Sequence, residues 1–266
     1  MSRTTPLRKL NHCPLVLVLC QVKFSPIMTM DDSIPKIQER LRAVGYKVNA
    51  SKRIQSVAVT RDNTPKPSIK EHWEFQNAER TASVVVNEGF VVFQTTAYDT
   101  FETFLPKIQE AASIVSKEVN GVFMERVGLR YINLIRPQVG KSWKSYIREG
   151  LRGIESPYLL ANSTEDLHQT TGLTEVGNLI LRIWQNRQGQ ALPPDLLFHQ
   201  LLVPENARNI GQDESIALID MDHIQERLVE DYSNERLSQI GWALKNGLYD
   251  IFTSHVVTPE ALEAWR

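Results

Sequence analysis

The chain has 266 residues, 42% of them hydrophobic and 23% charged, an ordinary globular composition that excludes wholesale disorder. It carries 30 Lys+Arg against 31 Asp+Glu for a net charge of −1, and its pI of about 6.6 lies below the basic range of a dedicated nucleic-acid domain. That balance conceals an asymmetry: residues 1–153 hold 23 Lys+Arg against 14 Asp+Glu, whereas residues 154–266 hold 7 against 17.

A switch of that size has three readings. The halves of one molecule attract each other, protomers pair head to tail as a homo-oligomer, or the two surfaces face different partners. Cys13 and Cys20 are the only cysteines. Seven residues apart, they fall on opposite faces of a strand, and no Cys-x-x-Cys is present. The expectation is two reduced thiols in a reducing cytoplasm, with no zinc or redox site. The start, Met1 to Lys9, is basic, but the apolar run Pro14 to Cys20 continues into Gln21-Val22-Lys23 without a cleavage site. No signal peptide is expected. Nothing approaches the roughly 18 apolar residues of a membrane helix, so no membrane partner is expected either.

In chain order, Val16 to Phe24 reads as a mostly buried strand closed by Ser25-Pro26. Asp31-Asp32-Ser33 opens a helix with Ile34, Ile37, Leu41 and Val44 on one face, and Gly45 stops it. Arg53 to Thr60 and Lys70 to Phe75 read as strands. Thr81 to Val86 and Phe90 to Thr96 form a hairpin through Asn87-Glu88-Gly89, with Gly89 expected at positive φ. Asp99 or Thr100 caps a helix carrying Phe101, Phe104, Leu105, Ile108, Ala112 and Val115. Val127 to Ile135 is another strand, on which Arg126 and Arg130 share parity with Ile132 and Leu134. Beyond it, Trp143 to Leu151 reads as a short helix. Leu167 to Glu175 and Leu179 to Asn186 read as paired strands, with Leu196 to Val203 as a third. Glu205 to Glu214 reads as a polar loop. Ser215 to Asp220 is a strand, and Asp222 with Gln225 predicts a capping box for a helix over His223 to Leu228. Asn234 opens the longest helix, with Leu237, Ile240, Leu244, Leu248, Ile251 and Phe252 on its stripe. Thr258-Pro259 starts a last short one. The expected fold is α+β: two sub-domains of largely antiparallel sheet, each with packed helices. The expected division is a basic sub-domain at 1–136, a connecting segment at 137–155, and an acidic sub-domain at 156–266.

Three stretches carry a resemblance: Asn11-His12-Cys13-Pro14-Leu15-Val16 leading to Val22-Lys23-Phe24; Arg126 to Asn133; and Leu248 to Phe252 followed by Thr258 to Leu262 and Trp265. In that order and spacing the chain resembles a sporadically distributed bacterial and archaeal family of about this length, largely without assigned function. The first stretch here reads Asn11-His12-Cys13-Pro14 where that family carries a double proline. The resemblance covers nearly the whole chain and implies no catalytic residue. The patchy distribution of such families resembles that of toxin–antitoxin and phage-defence genes, an association rather than a physical argument.

Two constellations bear on function. Asp220 and Asp222 share a strand face beside His223, a set that could hold a divalent metal, but the capping reading is stronger and no metal is expected. The other is basic: Arg126, Arg130, Arg136, Lys141, Lys144, Arg148 and Arg152, with Trp143 and Tyr146 interleaved. On a helix Lys144, Arg148 and Arg152 stand four apart, one face that could track phosphates or an acidic protein. Against this stands a solvated helix face, with the arginines bonded to the acidic half. The histidines His12, His72, His168, His199, His223 and His255 are scattered, and no nucleophile elbow, phosphate loop or dinucleotide fingerprint is present. The expectation is a non-enzymatic binding protein without cofactor, acting on another protein as an antitoxin-like or phage-defence component. Its expected binding residues are Arg126, Arg130, Arg136, Lys144, Arg148, Arg152, Trp143 and Tyr146. A nucleic-acid binder using the basic half is the alternative, and an enzyme with a spatially assembled site the third reading.

Overall fold

A computed structural model of the chain describes residues 12–59, 65–137, 140–154, 166–186, 190–196, 200–211 and 214–266. The basic start of the chain through Asn11, Thr60 at the end of the strand expected from Arg53, and residues 197–199 with His199 lie outside them. The fold is α+β, as the alternating patterns predict.

The strands are β1 (Leu15–Phe24), β2 (Val48–Asn49), β3 (Lys52–Val59), β4 (Pro65–Gln76), β5 (Ala82–Asn87), β6 (Phe90–Thr95), β7 (Phe123–Ile135), β8 (Asp166–Leu173), β9 (Asn178–Asn186) and β10 (Ile216–Asp231). Nine of them run in the order β2-β4-β5-β6-β1-β7-β10-β9-β8, and β3 pairs with β4 off this path. Every pairing is antiparallel. The order is symmetric about its centre: β1 closes onto the meander β4-β5-β6, and β7 onto β8-β9-β10. The boundary expected at 137–155 follows β7, which pairs with β1 of the basic half on one side and with β10 of the acidic half on the other. The two halves share one continuous sheet.

Helices α1 (Met30–Ala43), α2 (Phe101–Glu118) and α3 (Asn234–Ile251) cover one face of that sheet, and α4 (Pro259–Ala264) lies against the turn at Trp143–Tyr146. Thr100 caps α2, accepting from the Thr103 backbone N–H while the Thr103 side chain returns the bond. Phe101, Phe104, Leu105, Ile108, Ala112 and Val115 are all buried, the stripe that the spacing predicts. Ser233 caps α3 and Thr258 caps α4. No helix of the described residues is long and apolar enough to cross a membrane.

Strand alternation divides the sheet into two environments. Val18, Cys20, Val22, Val127, Leu129, Ile219 and Met221 point to the helices and form the main core. Leu17, Ile132, Leu134, Ile216 and Leu218 point away. A second, smaller core covers them, built with Leu192 and Ala207 from the long connection between β9 and β10. That connection is also tied to the β5–β6 end: the Leu202 N–H donates to the Arg80 carbonyl at 2.7 Å, and the Thr96 hydroxyl donates to the Leu202 carbonyl at 2.6 Å. No strand forms over the described part of Leu196 to Val203; Pro194–Leu196 is a 3-10 turn.

Four local expectations are corrected. The residues expected as a helix over His223 to Leu228 continue β10, so Asp222 caps nothing. Trp143 to Leu151 is two 3-10 turns, Trp143–Tyr146 and Glu149–Leu151, separated by an extended Ile147 bridged to Val257. The β5–β6 hairpin forms, but Gly89 is not at positive φ. Asn87 shapes the turn instead, its side-chain oxygen accepting from the Gly89 and Phe90 N–H groups at 2.8 and 2.9 Å. Val44 is not on the buried stripe of α1 but is exposed. The two cysteines are free, Cys13 exposed and Cys20 buried.

Candidate functional site

The pairing register β1·β7·β10·β9 brings four side-chain rows together on the sheet face away from the helices. Asp222 stands opposite Arg130, Asp220 opposite Ile132 and Arg182, Leu19 opposite Arg130, and Gln21 opposite Gly128. Because strand side chains alternate, Gln21, Arg126, Arg130, Arg182, Asp220 and Asp222 all project from this one face.

Arg130 is the hub. Its Nε and Nη2 donate to the two oxygens of Asp220 at 2.7 and 2.8 Å. Its Nη1 and Nη2 also donate to Asp195, on the turn Pro194–Leu196 of the covering connection, at 2.6 and 3.1 Å. Arg182 adds a third donor to Asp220 at 3.1 Å and holds Gln169 through Nε. Asp220 is fully buried and the Arg130 side chain only 12% exposed. Planar guanidinium–carboxylate pairs of this kind satisfy both partners bidentately. Burial works against the Arg130 charge, but the bonds to Asp220 and Asp195 together outweigh it and raise its pKa. Burial likewise opposes ionisation of Asp195, and the bonds and field of Arg130 more than compensate, holding that carboxyl below its usual range.

The Asp222 side chain, beside this network, accepts no hydrogen bond from the described residues. Burial is the largest influence on it and the Asp220 charge adds to it. Against the opposing fields of Arg130, Arg126 and Arg182, its pKa rises from an ordinary 3.8 to about 6. Arg126 reaches only Gln21, whose side-chain oxygen accepts from Nη2 at 2.6 Å; its Nε–H is buried without an acceptor. Glu226, opposite Arg126 in register, is bonded instead to Asn178.

His223, next in β10, points the other way and is fully buried. Its Nδ1 faces the Leu244 carbonyl at 3.0 Å and its Nε2 the Thr174 hydroxyl at 2.9 Å. Nδ1–H donates to that carbonyl, and burial, outweighing the bond, lowers the imidazole pKa. Gly247 allows α3 to approach: a Cβ there would lie 2.8 Å from the imidazole. Asp220, Asp222 and His223 therefore do not converge, and no group of metal ligands is formed among the described residues.

The expected binding residues separate. Arg126 and Arg130 belong to the sheet-face cluster. Arg136 is bonded to Glu214 and to the carbonyls of Asn206 and Arg208. Trp143 and Tyr146 are core residues, 2% and 1% exposed, and offer no stacking surface. Lys144, Arg148 and Arg152 do not share a helical face, because the backbone between them is extended at Ile147. Arg148 is exposed, and Arg152 donates to the Ile147 carbonyl. Sequence reasoning missed Gln21, Arg182 and Asp195. Parity alone could have linked the first two to Asp220 and Asp222; nothing local marks Asp195. Compared with known proteins, the chain matches no family model, and no curated protein matches it either.

Proposed function

We propose that the chain is a non-enzymatic binding protein that acts on another protein, and that the open part of the helix-free sheet face around Arg126, Gln21 and Asp222 is where it does so. One observation carries this reading. Three cations of the basic first half are paired with acids of the second half: Arg130 with Asp220 and Asp195, Arg136 with Glu214, and Lys141 with Glu260. That pairing interrupts the basic run between Arg126 and Arg152 that a polyanion would track, while leaving Asp222 and Arg126 with unused hydrogen-bonding capacity. Such groups are typical of a surface completed by a partner. The resemblance to sporadically distributed families supports an antitoxin-like or phage-defence role for that partner binding.

Nucleic-acid titration at varied salt and capture of the neighbouring gene product test this together. DNA and RNA should stay at background at physiological salt, and Lys144→Glu, Arg148→Glu and Arg152→Glu combined should change nothing. The captured protein should remain bound as salt rises. Submicromolar nucleic-acid binding with a slope of about −2 to −3 in log K against log salt, lost in the triple variant, would reverse the assignment.

A further inference from the structure

On the helix-free face Gly128 lies between Arg126 and Arg130 along β7, flanked by Gln21 on β1 and Ile224 on β10. With no side chain at Gly128 the face has a notch floored by backbone. A Cβ placed there would lie 3.8 Å from the Asp222 Oδ1 and 3.7 Å from Ile224, so the Asp222 carboxyl leans over the notch. Arg126 closes one end. Its Nη2 is taken by Gln21, whereas Nε and Nη1 have no acceptor among the described residues. Arg130 closes the other end, but Nε, Nη1 and Nη2 are all engaged by Asp220 and Asp195. The Arg130–Arg182–Asp220–Asp195 network balances its own charge. What remains over Gly128 is one under-bonded guanidinium and one under-bonded carboxyl.

From this juxtaposition we infer that the notch over Gly128 receives a neutral side-chain amide, an Asn or Gln, of a protein partner. The amide N–H donates to Asp222 and its carbonyl accepts from Arg126. Charge decides against the other ligand chemistries. A carboxylate would set its oxygen against Asp222, and an ammonium or guanidinium would face Arg126. An amide supplies a donor and an acceptor on one carbon with no net charge. The raised pKa of Asp222 agrees with this, because a half-buried carboxyl without a donor from the described residues is the state that an incoming N–H relieves. The inference rests on the protein-binding reading and names what that partner presents.

The test uses the full chain and small probes, and needs no partner. Acetamide, acetate and methylammonium are titrated while the Arg126 guanidinium and Asp222 carboxyl are followed by NMR. Acetamide should shift both signals saturably in roughly the millimolar range and lower the Asp222 pKa. Gly128→Ala makes only ordinary van der Waals contacts, so the chain should fold unchanged while the notch fills, and acetamide binding should weaken by about tenfold or more. Asp222→Ala should abolish the Arg126 shift. Saturation by acetate with a rise in the Asp222 pKa would overturn the inference, as would preference for methylammonium. So would no saturable shift with acetamide, or full acetamide binding in a folded Gly128→Ala chain. These outcomes concern the notch alone; steep salt-dependent nucleic-acid binding would sink only the wider reading.

Discussion

Asp222 illustrates how a single side chain couples the sheet face to pH. Its carboxyl holds its proton more tightly in the folded chain, with a pKa near 6 against an ordinary 3.8, mainly because burial disfavours the charge. Between about pH 4 and pH 6 the folded state therefore binds more protons than the unfolded state, and stability falls as pH rises through that window. Ionised Asp222 should cost about 2–3 kcal/mol at neutral pH. Asp222→Asn removes the titration. In urea unfolding the variant should gain on the parent at pH 7 and lose that advantage at pH 4. An equal difference at both values would mean that Asp222 is not the titrating group.

At the scale of the element, β10 decides the site. Residues Ile216 to His223 alternate between two faces, Ile216, Leu218, Asp220 and half-buried Asp222 on one side, Ala217, Ile219, Met221 and His223 on the other. The Asp222–Gln225 spacing imitates a helix start, but the strand is paired on both sides, with β7 and β9, through Ile224. Forming a helix at His223 would strip those ladders from the middle of the sheet and unseat the buried imidazole. Arg227 takes φ +59° where the β7 register is broken between Glu226 and Glu230, so the strand absorbs its irregularity in a bulge rather than ending. Gln225→Pro separates the two conformations. In the first turn of a helix proline is tolerated; opposite Val127 in a central strand it should cost about 3 kcal/mol or more, read as a fall in the denaturation midpoint. A neutral outcome would restore the helix.

For the whole molecule, part of the charge asymmetry is met by ion pairs between the two halves. Arg130 on β7 meets Asp220 on β10 across the sheet centre, and also Asp195 on the connection that covers it. Removing one partner of a buried pair leaves an uncompensated charge, so Arg130→Ala should cost about 3–5 kcal/mol. Replacing the pair together, Arg130→Met with Asp220→Leu, should recover most of that loss, because apolar side chains of similar volume avoid the desolvation. A double-mutant cycle on chemical denaturation measures the coupling; additive losses would show that the two side chains do not act as a pair. The single variant should also loosen the β9–β10 connection, since Asp195 loses its partner, and protease sensitivity there should rise.

The hairpin β5–β6, the capped helices α2 and α4 and the buried stripe of α3 were legible in the sequence, because caps, turns and hydrophobic period are local signals between neighbours in the chain. The parity of Arg126 and Arg130 with Ile132, and of Asp220 with Asp222, was legible too. It marked which side chains share a face, though not which strands lie side by side. Only the tertiary structure placed β7 between β1 and β10, joined Arg130 to an aspartate 90 residues away, and left Asp222 without a donor. It also withdrew Trp143 and Tyr146 into the core and broke the expected basic helix at Ile147. Strand order and ion pairing depend on contacts far apart in the chain, and no local pattern of residues encodes them.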